Sequence, residues 1–107
     1  MITAIIGAGG KTTLLHSLAK KYISEGKSVL VTTTTHMLIE PDTLLTDDPE
    51  VIKLILQKNG YAMAGVETGD NKITSLSDNT YNEVCKYADE VLIEADGAKH
   101  FPLKIPN

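Results

Sequence analysis

The chain has 107 residues, 42% hydrophobic and 22% charged, with a formal net charge of −4 and a pI near 5.2. These values describe one soluble globular domain and exclude the basic stripe of a nucleic-acid binder. No apolar run approaches the roughly 18 residues of a membrane span, and the start "MITAIIGAGG" lacks the basic region of a signal peptide, so the cytoplasm is the expected compartment.

Thr3 to Ile6 is a short β-branched run ending at Gly7, as expected of a buried strand. From Lys11 the period changes. Leu14/Leu15, Leu18/Ala19 and Tyr22/Ile23 recur at helical spacing, and Gly26 is a fitting stop. Ser28 to Val31 begins a second strand that runs into "TTTTHM", completing a βαβ unit with parallel strands. "EPDTLLTDDPE" reads as a polar connection. Thr46 to Pro49 then opens a helix carrying Val51, Ile52, Ile55 and Leu56, stopped at Asn59-Gly60. "YAMAGVE" and "KITSL", separated by Gly69-Asp70-Asn71, are expected to form a hairpin. Thr80 and Glu83 have the spacing of a capping box, opening a helix with Tyr81, Val84, Cys85 and Ala88 on one side. "EVLIEADGAKH" is a last apolar strand ending in acids. His16 is expected on the exposed side of its helix, and Cys85, the one cysteine, on an apolar face.

Three of these segments carry chemistry. "GAGGKTT" lies between a strand and a helix. There, unpaired amides at a helix N-terminus and glycines that admit close approach suit a phosphate. Gly7, Ala8, Gly9, Gly10 and Thr13 would cradle it, with Lys11 on the β- and γ-phosphates and Thr12 on Mg²⁺. The spacing Gly-x-x-Gly-Lys-Thr is two residues shorter than the general phosphate loop and similar to the short loop of the ATP-binding Mur ligases. The plain structural alternative is a glycine turn for close packing.

At the end of the last strand, Glu94 and Asp96 are two apart and point to one side if extended. Asp96, at the strand exit, is favoured for the metal. Glu94 is the candidate for orienting an attacking water. In "TTTTHM", Thr35 and His36 are candidates to touch phosphate, Mg²⁺ or substrate, ahead of Thr32 and Thr33; the plain account is a strand with a solvated polar face. The chain has no arginine, so a phosphoryl-transfer site here lacks an arginine finger in cis.

Together, "GAGGKTTLL", "VLVTTTTHM" and "VLIEADGAKHFPLKIPN" resemble the YqeC family in order and spacing. Proteins of that family look like P-loop nucleotide binders and are described as accessory proteins of selenium-dependent molybdenum hydroxylases. The resemblance implies maturation of such an enzyme or its cofactor, with that hydroxylase or its maturation machinery as partner. Members are longer than this chain, so residues 1–107 are expected to be the N-terminal part of a longer pattern, or a half-domain completed by homodimerisation.

The expectation is therefore an α/β, three-layer, P-loop NTPase-like domain with a mainly parallel sheet, the first strand beside the strand bearing Glu94. Four or five strands are foreseen. The domain would bind ATP or GTP with Mg²⁺ and no nucleic acid or membrane. Catalysis is assigned to Lys11, Glu94, Asp96 and His36. The rival expectations are an ATP-dependent kinase or ligase acting on a small cofactor precursor, and a non-catalytic nucleotide-sensing module.

Overall fold

A computed structural model of the chain describes residues 2–5 and 11–95. The elements in order are β1 (Ile2–Ile5), α1 (Lys11–Ser24), β2 (Val29–Thr33), β3 (Met37–Leu38), β4 (Leu44–Leu45), α2 (Pro49–Asn59), β5 (Tyr61–Glu67), β6 (Lys72–Thr74), α3 (Asp78–Cys85) and β7 (Glu90–Glu94). The strands join in the order β1-β7-β2-β5-β6-β3, with β4 also paired to β5. Pairs among β1, β7, β2, β5 and β4 are parallel, whereas β5–β6 and β6–β3 are antiparallel. The expected hairpin of β5 and β6 is present, and β1 lies beside β7 as foreseen.

Helices cover both faces, because alternate residues of each central strand point to opposite sides. Ile5, Val29, Val31, Met63 and Leu92 pack with Leu15 and Ala19 of α1. Leu30, Ala62, Ala64, Val91 and Ile93 pack with Ile52, Leu56 and Val84 of α2 and α3. The result is a three-layer α/β domain whose central strands β2 and β7 are buried throughout. Among the described residues no helix is long and apolar enough to cross a membrane.

Local chemistry sets the helix ends. Of the expected apolar pairs on α1, one member is buried or packed against the core while Leu14 and Ile23 stay exposed. Gly26 ends the helix at φ +83°, with Gly26 N–H donating to the Ile23 carbonyl and Lys27 N–H to the Tyr22 carbonyl, both at 3.0 Å. This crossed pair of bonds needs a left-handed residue at the turn. Asp48 caps α2, accepting from Glu50 N–H at 2.9 Å, and Pro49 occupies the first turn, where its missing N–H costs nothing. Gly60, at φ +74°, closes that helix.

Four expectations are corrected. The cap of α3 is Ser77, which accepts from Thr80 N–H at 3.4 Å; Thr80 lies inside the helix, buried, with its hydroxyl donated to the Asp47 carbonyl at 2.6 Å. Ala88 lies beyond the helix end. The polar connection contains β4, whose Leu44 and Leu45 pair with Ala64 and Gly65. With β3 it brings the described strands to seven, because two-residue strands are too short to show a period. His16, its side chain 38% exposed, lies on the outer side of α1 as expected, with its Nε2 2.8 Å from Glu40 Oε2 on the segment after β3.

Tyr61, half-buried at the start of β5, has its phenol pushed up to about 12 by burial, with lesser help from the Asp42 and Glu40 charges. The fold thus favours the protonated phenol. Its stabilising contribution is complete below the unfolded value of 10.0 and is lost as pH rises from there through about 12. Urea unfolding of wild type and Tyr61→Phe across pH 9–12 checks this (the interval spans about two units of titration). The variant is expected to lose less stability over that interval, and parallel curves would contradict the assignment.

Candidate functional site

Chain direction brings the carboxyl ends of β1, β7 and β2 to one edge. Ile5 is register partner of Glu94, and Glu94 of Thr33. The pairing continues one step beyond β7, where Ala95 N–H donates to the Ile5 carbonyl at 3.0 Å. α1, which begins at Lys11, covers the face on which Ile5, Val31 and Leu92 lie. Strand alternation puts Thr33 and Glu94 on that same face. The first helix and the acidic strand end are therefore neighbours across the sheet edge, although about seventy residues of chain lie between them in sequence.

Glu94 is 7% exposed, and its carboxylate meets no hydrogen bond or ion pair among the described residues. A carboxylate at a sheet edge with no partner among the described residues is left to water, a ligand or a cation. One oxygen pair at a sheet edge can accept a hydrogen bond from a positioned water or from water on a cation. Among the described residues no group of three or more His, Cys, Asp or Glu side chains is arranged to hold a metal.

The threonine run is mostly internal. Thr32 and Thr33 are 2% and 1% exposed, which replaces the expected solvated polar face. Thr32 Oγ1 donates to the Ala64 carbonyl at 2.9 Å, and Thr33 Oγ1 to the Glu94 carbonyl at 2.9 Å. Thr34 N–H reaches the same Glu94 carbonyl at 3.1 Å. Thr35 is half-buried, with its N–H donated to Thr33 Oγ1 at 3.0 Å and its carbonyl accepting from Thr74 Oγ1 at 2.8 Å. His36 is exposed between this network and β3.

Of the residues foreseen for the site, Glu94, Thr35 and His36 thus fall on the carboxyl edge. Lys11, Thr12 and Thr13 are the first three residues of α1. Gly7, Ala8, Gly9, Gly10 and Asp96 lie outside the described residues. Thr74 and Gly65 were not foreseen. A Cβ on Gly65 would lie 2.7 Å from the Thr74 carbonyl oxygen and 2.8 Å from Ile73 Cβ, so this glycine lets β6 close over the edge. An isolated glycine inside a strand pattern is the sequence signal for such an approach. Cys85, half-buried beside Tyr81, has its thiol pushed up by burial and lies on α3, in the layer opposite α1. It takes no part.

The fold and this edge define a class: an α/β domain with a mainly parallel sheet and ligand-type residues at the carboxyl ends of its strands. Within that class the chain belongs to the YqeC protein family, whose model matches residues 3–107. It is similar to the uncharacterized protein YqeC of Escherichia coli (strain K12), with 29% identity over 113 residues covering 99% of this chain and 44% of the relative. The chain therefore spans less than half the length of that curated relative. No solved structure matches significantly.

Proposed function

We propose that this domain is a P-loop module that binds ATP, or alternatively GTP, with Mg²⁺. We propose further that it acts as an NTPase in maturing a selenium-dependent molybdenum hydroxylase or its cofactor. The observation that carries the reading is Glu94: buried, unpaired among the described residues, and in register beside the end of β1, whose chain continues through "GAGG" into the helix opened by Lys11. In this reading the Gly7–Thr13 amides and Lys11 hold the phosphates, and Thr12 and Asp96 hold Mg²⁺. Glu94 accepts a hydrogen bond from the attacking water, with His36 beside the acceptor. The ion, when bound, offsets charge on the β- and γ-phosphate oxygens. Transfer of the γ-phosphoryl group to water yields ADP and inorganic phosphate.

Lys11→Ala is expected to weaken Mg·ATP binding roughly 10- to 100-fold, the loss of one hydrogen-bonding cation on a phosphate. Isothermal calorimetry of wild type and variant with ATP and GTP measures it. Absence of binding by wild type would overturn the reading. A non-catalytic sensing role is favoured by the missing arginine and predicts tight ATP binding without turnover in the full-length protein. Transfer to a small cofactor precursor predicts ADP release only when the acceptor is present.

A further inference from the structure

Among the described residues the sheet ends at β1 on one side and at β3 on the other. The two ends differ. β3 is two residues long, and so short a strand is one way that proteins blunt an edge. β1 has four residues in unbroken register with β7, without a charge or a proline. It is apolar toward both layers. Ile2 packs against the core cluster on the α2–α3 side, and Ile5 belongs to the cluster beneath α1. That pattern is the one of an interior strand.

Parallel pairing turns alternate residues of a strand toward opposite neighbours. The Ile5 carbonyl accepts from Ala95 N–H, so Thr3 and Ile5 present their backbone groups to β7. The N–H and carbonyl groups of Ile2 and Ala4 face the other way, where no described strand stands. The helix layer is open on this side too. α1 lies over β7 and reaches β1. Its His16 meets Glu40, on the segment between β3 and β4, so that flank faces the β5 side. Leu14 and Leu18 lie on the opposite flank, toward β1, and Leu14 is 47% exposed.

We propose that the outer edge of β1 takes one further strand, supplied by the part of the longer family chain that lies outside the matched segment. More than half of the matched relative's length lies there. The strand pairs with the outward groups of Ile2 and Ala4, and apolar side chains on its α1 side cover Leu14. A second copy of this chain fits less well. A four-residue edge is about 13 Å long, and it buries far less than the roughly 1,000 Å² of a specific interface between separate chains. A strand tethered to the domain avoids most of that association cost. This inference is independent of the nucleotide reading.

Amide hydrogen exchange, read by NMR in a full-length family protein that carries this domain, tests it. The Ala4 N–H is expected to exchange as slowly as those of Thr3 and Ile5, about 100-fold or more below an exposed amide, at every protein concentration. Ala4→Pro removes that one donor and leaves the β7 ladder whole, a substitution that an open edge tolerates. In the full-length protein it is expected to speed proteolytic release of the rest of the chain about tenfold, one net hydrogen bond's worth. The exchange measurement on wild type decides the matter should Ala4→Pro not fold.

Fast exchange at Ala4 beside protected Thr3 and Ile5 would show an open edge and overturn the proposal. Protection that appears only as concentration rises would assign the edge to a second copy, with the same consequence. Protection that persists in residues 1–107 alone would assign it to this chain's own residues and overturn the proposal as well.

Discussion

On the nucleotide reading proposed above, Glu94→Gln is expected to lower nucleotide turnover by about 10²- to 10³-fold while leaving folding stability unchanged or slightly raised. The amide keeps the size and one carbonyl acceptor but loses the charge, and a group that orients water in phosphoryl transfer contributes on that order. Ordinarily, a buried carboxylate that loses its charge also loses a partner and costs stability. Here none of the described hydrogen bonds or ion pairs ends on the carboxylate, so the fold gives up nothing visible. Opposite responses of turnover and stability are a signature of a residue kept for function. Phosphate release and urea unfolding, measured on the same preparation, check both halves. A variant with full turnover would shift the water-orienting role away from Glu94, and one that unfolds early would make Glu94 structural.

Gly65→Ala is expected to destabilise the domain by about 1–3 kcal/mol, the usual cost of forcing a methyl group into a packed interior. The new Cβ would meet the Thr74 carbonyl oxygen at 2.7 Å and Ile73 Cβ at 2.8 Å. Neither is the far end of a flexible side chain. Ile73 is fully buried in the core beneath α1, so β6 itself has to move. That movement would draw Thr74 away from the Thr35 carbonyl, and binding at the edge should weaken along with the fold. Denaturant midpoints measure the first effect and nucleotide affinity the second. An unchanged midpoint would show that β6 yields freely and that the close approach at Gly65 carries no energetic weight.

Much of the architecture is visible in the residues because it follows from local rules. The β-branched run at Thr3, the helical spacing of Leu15 and Ala19, the stop at Gly26 and the Asn59-Gly60 terminus are each decided by a few neighbouring residues. Each appears where the pattern puts it. Where two local signals compete, neighbours alone mislead. Thr80 with Glu83 has capping-box spacing, yet Ser77 takes the cap because the Asp47 carbonyl, from a loop thirty-three residues away, claims the Thr80 hydroxyl.

The site divides in the same way. The sequence by itself determined the residue types: a glycine-rich turn before Lys11, acids closing an apolar strand, and a threonine run ending in His36. The P-loop-like expectation also put the strand bearing Glu94 beside the first strand, where Ile5 and Glu94 are register partners. Only the tertiary structure decided how each threonine is used. In sequence only their distance from the strand end tells the four apart. In the fold, strand alternation sends Thr32 toward the Ala64 carbonyl and Thr33 toward the Glu94 carbonyl, and those partners lie thirty-two and sixty-one residues away. A hydroxyl's role is set by which distant carbonyl it meets, and that meeting exists only once the strands are in register.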